Sequence, residues 1–183
     1  FRLKELHDLS FLKKYGTAFW GLDETGSGCI CVGMEDAKRK YFCKIAGVDT
    51  MEAEVSPKES VEILKEAVHL YYELAHPNLI KIIEEYDYER FYVVVFEWTS
   101  GECLFDHWNF ETYQRDITIK SPKEKFKELP VEKKLKAIEV LFSFLQNVNQ
   151  KGYVAVDFYD GSIMYDFSKD VTTICDIDFF RKA

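Results

Sequence analysis

Lys44, Asp157, Asp176 and Asp178 are the residues of this chain whose types and settings could do chemistry together. Lys44 stands in the run Tyr41-Phe-Cys-Lys-Ile-Ala46, which reads as a β-strand. An ammonium in an otherwise apolar strand is costly unless it has a partner; the plain alternative is an edge-strand lysine that reaches water along its stem. Glu66, on the helix that follows and at a turn expected to face the sheet, could aim that ammonium, with Glu62 and Glu73 competing. Asp157 lies in Val154-Ala-Val-Asp-Phe-Tyr-Asp-Gly-Ser-Ile-Met164. Its apolar neighbours suggest a partly dry loop in which a carboxylate could accept a hydroxyl proton. A turn aspartate is the alternative, since Asp160-Gly161 has turn chemistry. Ser162 follows, where a polar metal-binding side chain would be useful. Asp176 and Asp178 alternate in Ile174-Cys-Asp-Ile-Asp-Phe-Phe180 and would share one face of a strand. Two such charges repel unless a cation stands beside them, and oxygen ligands favour Mg²⁺; the alternative is a solvated strand end. A lysine for phosphates, a carboxylate base and metal-holding acids are the parts that phosphoryl transfer requires.

These residues have to be positioned by a chain of 183 residues, enough for one large domain or two small lobes. Hydrophobic residues make up 47% and charged residues 31%, the balance of a globular protein, and aromatics at 16% place much Phe and Tyr in the core. The formal net charge of −8 works against nucleic-acid binding, so any triphosphate site must gather positive charge locally. Five cysteines are odd in number, form no C-x-x-C pair and sit mostly in apolar runs. That predicts reduced thiols in a cytoplasmic protein rather than a disulfide framework or zinc site. No apolar run approaches the roughly 20 residues needed to span a bilayer. A start at Phe1 and an end at Ala183 suggest a piece of a longer chain.

Periodicity predicts a short helix over residues 2–14 and strands over 18–22, 29–34 and 41–46, joined by turns at 23–28 and 35–40. A helix follows over 58–74, with Val61, Leu64, Val68, Tyr71 and Tyr72 on one apolar face. Residues 79–86 and 91–98 read as a hairpin, and Phe91 to Phe96 is apolar throughout, as a strand covered on both faces should be. A short helix is expected over 104–108 and loop over 109–129. The strongest helix runs from Val131 to Gln150, introduced by Pro130 and ended by Gly152. Its expected buried stripe is Val131, Leu135, Ile138, Leu141, Phe142, Leu145 and Val148. Two short strands, 163–166 and 172–177, close the chain.

The ordered set of motifs resembles the eukaryotic-like protein kinase superfamily, which also includes small-molecule kinases for choline and aminoglycosides. The Lys44 run is similar to the V-A-I-K strand, and His76-Pro-Asn-Leu-Ile80 to the H-P-N-I segment after the first helix. Phe96-Glu-Trp-Thr-Ser-Gly-Glu-Cys-Leu-Phe-Asp106 looks like the hinge, with Phe96 as gatekeeper and Glu97 and Trp98 as backbone contacts to adenine. Asp157 to Met164 is similar to the catalytic loop D-x-x-x-x-N-I-L, and closer still to the D-L-H-P-G-N of small-molecule kinases. Ile174 to Asp178 looks like the I-x-D-F-G strand, 19 residues on from Asp157 (176 minus 157).

The resemblance implies an α+β, protein kinase-like fold: a five-stranded antiparallel N-lobe with one main helix, and a partial, mainly helical C-lobe. Residues 1–14 would be a helical extension, 15–98 the N-lobe, and 99–183 the hinge and partial C-lobe. It also implies ATP and Mg²⁺ as cofactors and a protein or small-molecule hydroxyl as acceptor. Lys44 and Asp157 would be catalytic; Lys44, Glu66, Gly26, Gly28, Glu97 and Trp98 would hold the nucleotide; Asp176, Ser162 and Asp178 would hold the metal. A serine/threonine kinase is the leading expectation, with a choline- or aminoglycoside-like kinase and a pseudokinase scaffold as rivals. The departures that feed the rivals are a glycine loop reduced to Gly26 and Gly28, Ala155-Val156 before Asp157, Tyr159 two residues after it, Ser162 in place of asparagine, and Glu66 one residue out of register.

Overall fold

A computed structural model describes residues 1–23 and 25–183. They form two compact units, residues 1–71 with 81–98, and residues 72–80 with 99–183.

Unit 1 is built on a sheet of five antiparallel strands: β1 (Thr17–Leu22), β2 (Ile30–Glu35), β3 (Lys40–Ala46), β4 (Ile82–Tyr88) and β5 (Phe91–Glu97). Their order is β1-β2-β3-β5-β4, so β3 is interior, paired to β2 at Cys31↔Lys44 and to β5 at Lys44↔Val94. Successive side chains alternate between faces. Ile30, Val32, Met34, Tyr41, Cys43, Ile45, Phe91, Val93 and Val95 form the core of one face, closed over by Leu12 and Tyr15. The other face carries Cys31, Gly33, Phe42, Lys44, Ala46, Val94 and Phe96, with Tyr71 of α1 (Pro57–Glu73) packed on Phe96 at 5.1 Å between rings. Both faces are therefore covered, which is why β5 could be apolar from Phe91 to Phe96.

α1 starts where its chemistry says it should. Ser56 Oγ accepts from Glu59 N, the Glu59 carboxylate accepts from Ser56 N, and Pro57 takes the first turn. Its buried residues are Ser60, Leu64, Ala67, Val68 and Tyr71, while Tyr72, expected on the apolar face, is exposed. The helix expected over residues 2–14 shrinks to a 3₁₀ segment, Ser10–Tyr15. Residues 2–4 instead run extended beside Asp49–Met51, with Lys4 N donating to Asp49 O and Met51 N to Arg2 O, and Leu6 is fully exposed. A three-residue leucine spacing is too narrow a stripe to hold a helix against that pairing.

Unit 2 contains β6 (Glu102–Cys103), α2 (Phe110–Arg115), α3 (Pro122–Lys127), α4 (Val131–Gln150), β7 (Tyr153–Val154), β8 (Ile163–Asp166), β9 (Val171–Ile174) and β10 (Arg181–Lys182). β6, β8 and β9 make one small sheet and β7 pairs with β10. α3 falls in a stretch expected to be loop. Ser121 caps it, with reciprocal hydrogen bonds to Glu124 and Pro122 in the first turn, a signature present in the sequence and missed beneath the charge density. α4 has its expected bounds and part of its expected buried face, with Val148 buried and Leu141 and Leu145 half-buried. Ala137, Phe144 and Val148 are buried, whereas Val131, Leu135, Ile138 and Phe142 are 62%, 52%, 42% and 68% exposed.

Candidate functional site

In unit 1, Lys44 is buried at 9% exposure although it carries an ammonium. Phe42 and Ala46 flank it along its face, and Cys31 and Val94 are its cross-strand neighbours. One row along the same face lie aromatic side chains. Phe42 and Phe96 are 5.9 Å apart, Trp20 is 6.2 Å from Phe42, and Phe19 stands edge-on to Trp98 at 4.9 Å. Gly33 makes this row possible. A Cβ there would come within 2.9 Å of Phe19 and 3.1 Å of Trp20 and Trp98, so any side chain would push the rings away.

Glu66 stands on the exposed side of α1, and Ala67 takes the inward position. The expected orientation of Glu66 towards the sheet is therefore corrected, and the reason is register: the helix face is set by Leu64, Val68 and Tyr71. Glu97 closes β5 with its side chain exposed, and its backbone N–H donates to Lys81 O at 2.9 Å, which spends that donor. Trp98 follows, half-buried among the rings just described. Between β1 and β2, Gly28 has φ +72°, a left-handed conformation that favours glycine. Its N–H closes a turn on Thr25 O, and Gly26 is exposed at the tip. Glu24, part of the expected phosphate turn, lies outside the described residues.

In unit 2 the two acidic stretches are bracketed together. Ile163↔Ile174 pairing and a hydrogen bond from Cys175 N to Ser162 O join them at one end, and Val154↔Arg181 and Tyr153↔Lys182 join them at the other. Phe144 of α4 packs under both. Its ring lies 6.2 Å from Phe158, beside Asp157, and 6.1 Å from Phe180, two residues beyond Asp178. The sequence had put Phe142 on the inner face instead.

Asp157 is exposed and holds φ +57°, a left-handed conformation that aspartate tolerates better than most residues. Ser162 is 1% exposed and its Oγ donates to Asp157 O at 3.5 Å, so this side chain helps shape the loop. Asp176 and Asp178 lie past the end of β9, which stops at Ile174, and so do not share a strand face. The chain instead turns at Asp178, whose backbone N–H donates to the Asp176 carboxylate at 3.3 Å. Asp176 is half-buried and Asp178 buried.

Tyr159 lies within electrostatic reach of these acids. Its phenol is pushed above its ordinary value, first by burial and then by the carboxylates of Asp157, Asp176 and Asp160. The Cys103 thiol, pushed up to about 11 chiefly by burial, also senses Asp106, Asp160 and Asp176. Acids gathered around one hydroxyl make a negative locus that would draw a cation. Among the described residues, no three His, Cys, Asp or Glu side chains stand close enough to form a metal cage. A cation held by one or two carboxylates, with its remaining positions filled by ligand oxygens or water, is the coordination that suits Mg²⁺. A groove of 490 Å³ elsewhere in unit 2, lined by His76, Asn78, Lys136, Ser143, Asp170 and Thr172 among others, contains none of the expected site residues.

No protein-family model matches the sequence, and no curated protein matches it. Many solved structures do match. One is the autoinhibited serine kinase domain of the giant muscle protein titin, at a TM-score of 0.62 and 16% identity, covering 91% of this chain and 46% of that one. This chain thus spans less than half the length of that neighbour. At such identity the likeness shows the fold alone. The chain has a protein kinase-like α+β fold, with a five-stranded antiparallel sheet and one main helix in unit 1 and a mainly helical unit 2. No helix is long and apolar enough to cross a membrane among the described residues.

Proposed function

We propose that this chain is the nucleotide-binding part of an ATP-dependent phosphotransferase that passes the γ-phosphate to a hydroxyl, in the manner of a serine/threonine kinase. The observation that carries the reading is Lys44, a cationic residue only 9% exposed, on the aromatic-bearing face of the unit 1 sheet. A buried cation on a sheet face that also carries flat aromatic rings suits a ligand that has both anionic phosphates and a planar base. Lys44 would meet phosphate oxygens, the turn carrying Gly26 would offer backbone amides with Gly28 shaping it through its own bond to Thr25 O, and Glu97 and Trp98 would offer main-chain groups to the base. Asp157 would accept the proton of the acceptor hydroxyl as its oxygen attacks. Asp176, with Asp178 and Ser162 behind it, would hold Mg²⁺, which supplies charge neutralisation to the phosphates when bound.

A second reading, a pseudokinase that binds nucleotide without transferring phosphate, is favoured by two placements. Ala67 stands inward where an orienting acid was expected, and the Ser162 hydroxyl is buried against the loop backbone. Thermal unfolding with ATP, with and without Mg²⁺, followed by an ADP-release assay, separates the two. The phosphotransferase gives a Mg²⁺-dependent rise in Tm, and Lys44→Met lowers ADP release by at least about a hundredfold. A rise indifferent to Mg²⁺ with no ADP release selects the binding module. A melting temperature that ATP leaves unchanged under both conditions removes the nucleotide reading altogether.

A further inference from the structure

The β1–β2 turn is tied down from outside the sheet. The first residues of the chain pair with residues 49–51, through Lys4 N to Asp49 O, Met51 N to Arg2 O and a bridge between Leu3 and Thr50. From that strap Arg2 reaches two acids at once. Its Nη1 lies 3.2 Å from a carboxylate oxygen of Glu52, and its Nη2 lies 3.8 Å from Asp23, whose carboxylate also accepts from the Arg2 backbone N–H. Asp23 stands just past β1, with its side chain only 14% exposed. Beside it the ring of Phe1 fills the place a side chain on Gly21 would take. The turn is tied to the same loop, with Glu54 N donating to Gly26 O at 3.3 Å. The Glu54 carboxylate lies 3.8 Å from where a Cβ on Gly26 would be.

We infer that Arg2 is a positioning residue for the phosphate turn: it fixes the Asp23 end of the turn and offsets one of the two charges, on Asp23 and Glu52, that would repel a triphosphate. This rests on the nucleotide reading above and adds to it a cation from outside the sheet. The charge balance gives the role its purpose. The chain carries eight more acids than bases (32 against 24), and Asp23, Glu52 and Glu54 all border this turn. The Arg2 side chain is itself half exposed, at 51%, and ion pairs made by such a side chain add little to global stability, so removing its charge should act on the ligand rather than on the fold.

The test is carried out on the full chain with ATP and with adenosine, read by tryptophan fluorescence, in Arg2→Ala, Arg2→Lys and Arg2→Ala combined with Asp23→Asn. Arg2→Ala is expected to weaken ATP binding by about fivefold and leave adenosine binding unchanged. Arg2→Lys should keep most of the affinity, and adding Asp23→Asn should restore much of what Arg2→Ala loses. Equal loss of ATP and adenosine, or no restoration by Asp23→Asn, overturns the inference. If the wild-type chain binds neither ligand, the nucleotide reading falls, and amide hydrogen exchange without ligand decides the positioning role alone. Faster exchange at Thr25–Gly28 in Arg2→Ala supports it, and unchanged exchange there overturns it.

Discussion

Asp166 sits buried at the β8–β9 turn and accepts from the Ser168 backbone N–H at 2.9 Å, the Ser168 hydroxyl at 2.6 Å, the Lys169 N–H at 3.1 Å and the Ser100 hydroxyl at 2.6 Å. The Ser100 and Ser168 bonds lead in holding its carboxyl well below the usual carboxylate range. A group whose folded value is depressed contributes stability above its unfolded value, near 4, and loses it as pH falls through the folded value. Asp166→Asn should therefore melt below the wild type at pH 7, and the difference should shrink steadily below about pH 4. A gap in Tm that stays constant from pH 7 to pH 2 would show that the charge has no part in it. Such a residue was invisible to motif reading, because Asp-x-Ser is common and only the folded turn brings Ser100 to the second oxygen.

Among the helices, α4 separates what pattern can and cannot say. Apolar residues at helical spacing predicted its length correctly, since amphipathic periodicity needs only local sequence. Which of two apolar flanks is buried depends on what packs there, and in unit 2 that is the Phe158 and Phe180 side of Phe144. Phe144→Ala should cost about 3–5 kcal/mol, whereas Phe142→Ser on the exposed flank should stay within about 0.5 kcal/mol, both measured by urea unfolding. Phe144→Ala should also disturb Asp157 more than Phe142→Ser does, because the Phe144 ring underlies the residue next to it. A large loss from Phe142→Ser would mean that the exposed stripe is covered in solution.

The whole chain is interleaved rather than simply bipartite. It passes from unit 1 to unit 2 after Tyr71, returns at Lys81 and leaves again after Trp98. Leu74, Leu79 and Ile80 belong to unit 2 and are buried at 0%, 3% and 7% exposure, with Ile80 N donating to Ile174 O. A fragment cut at residue 98 would strip these side chains of their cover, at about 1.5–3 kcal/mol each. It should bind a hydrophobic dye more strongly than the full chain at equal concentration and lose solubility. A fragment as soluble and as dye-silent as the whole would show that this segment packs within unit 1.

The sequence by itself determined the five strand segments of the unit 1 sheet, the bounds of α4, and the residue types available for phosphate and metal chemistry. These follow from local periodicity, turn residues and apolar runs, all readable along the chain. Tertiary structure alone decided that Glu66 turns outward, that Asp176 and Asp178 leave the strand, that residues 1–5 run as a strap, and that α4 hides Phe144 instead of Phe142. Each of those is a choice between faces or partners whose competing options differ little locally, so only packing and pairing with distant residues could settle it.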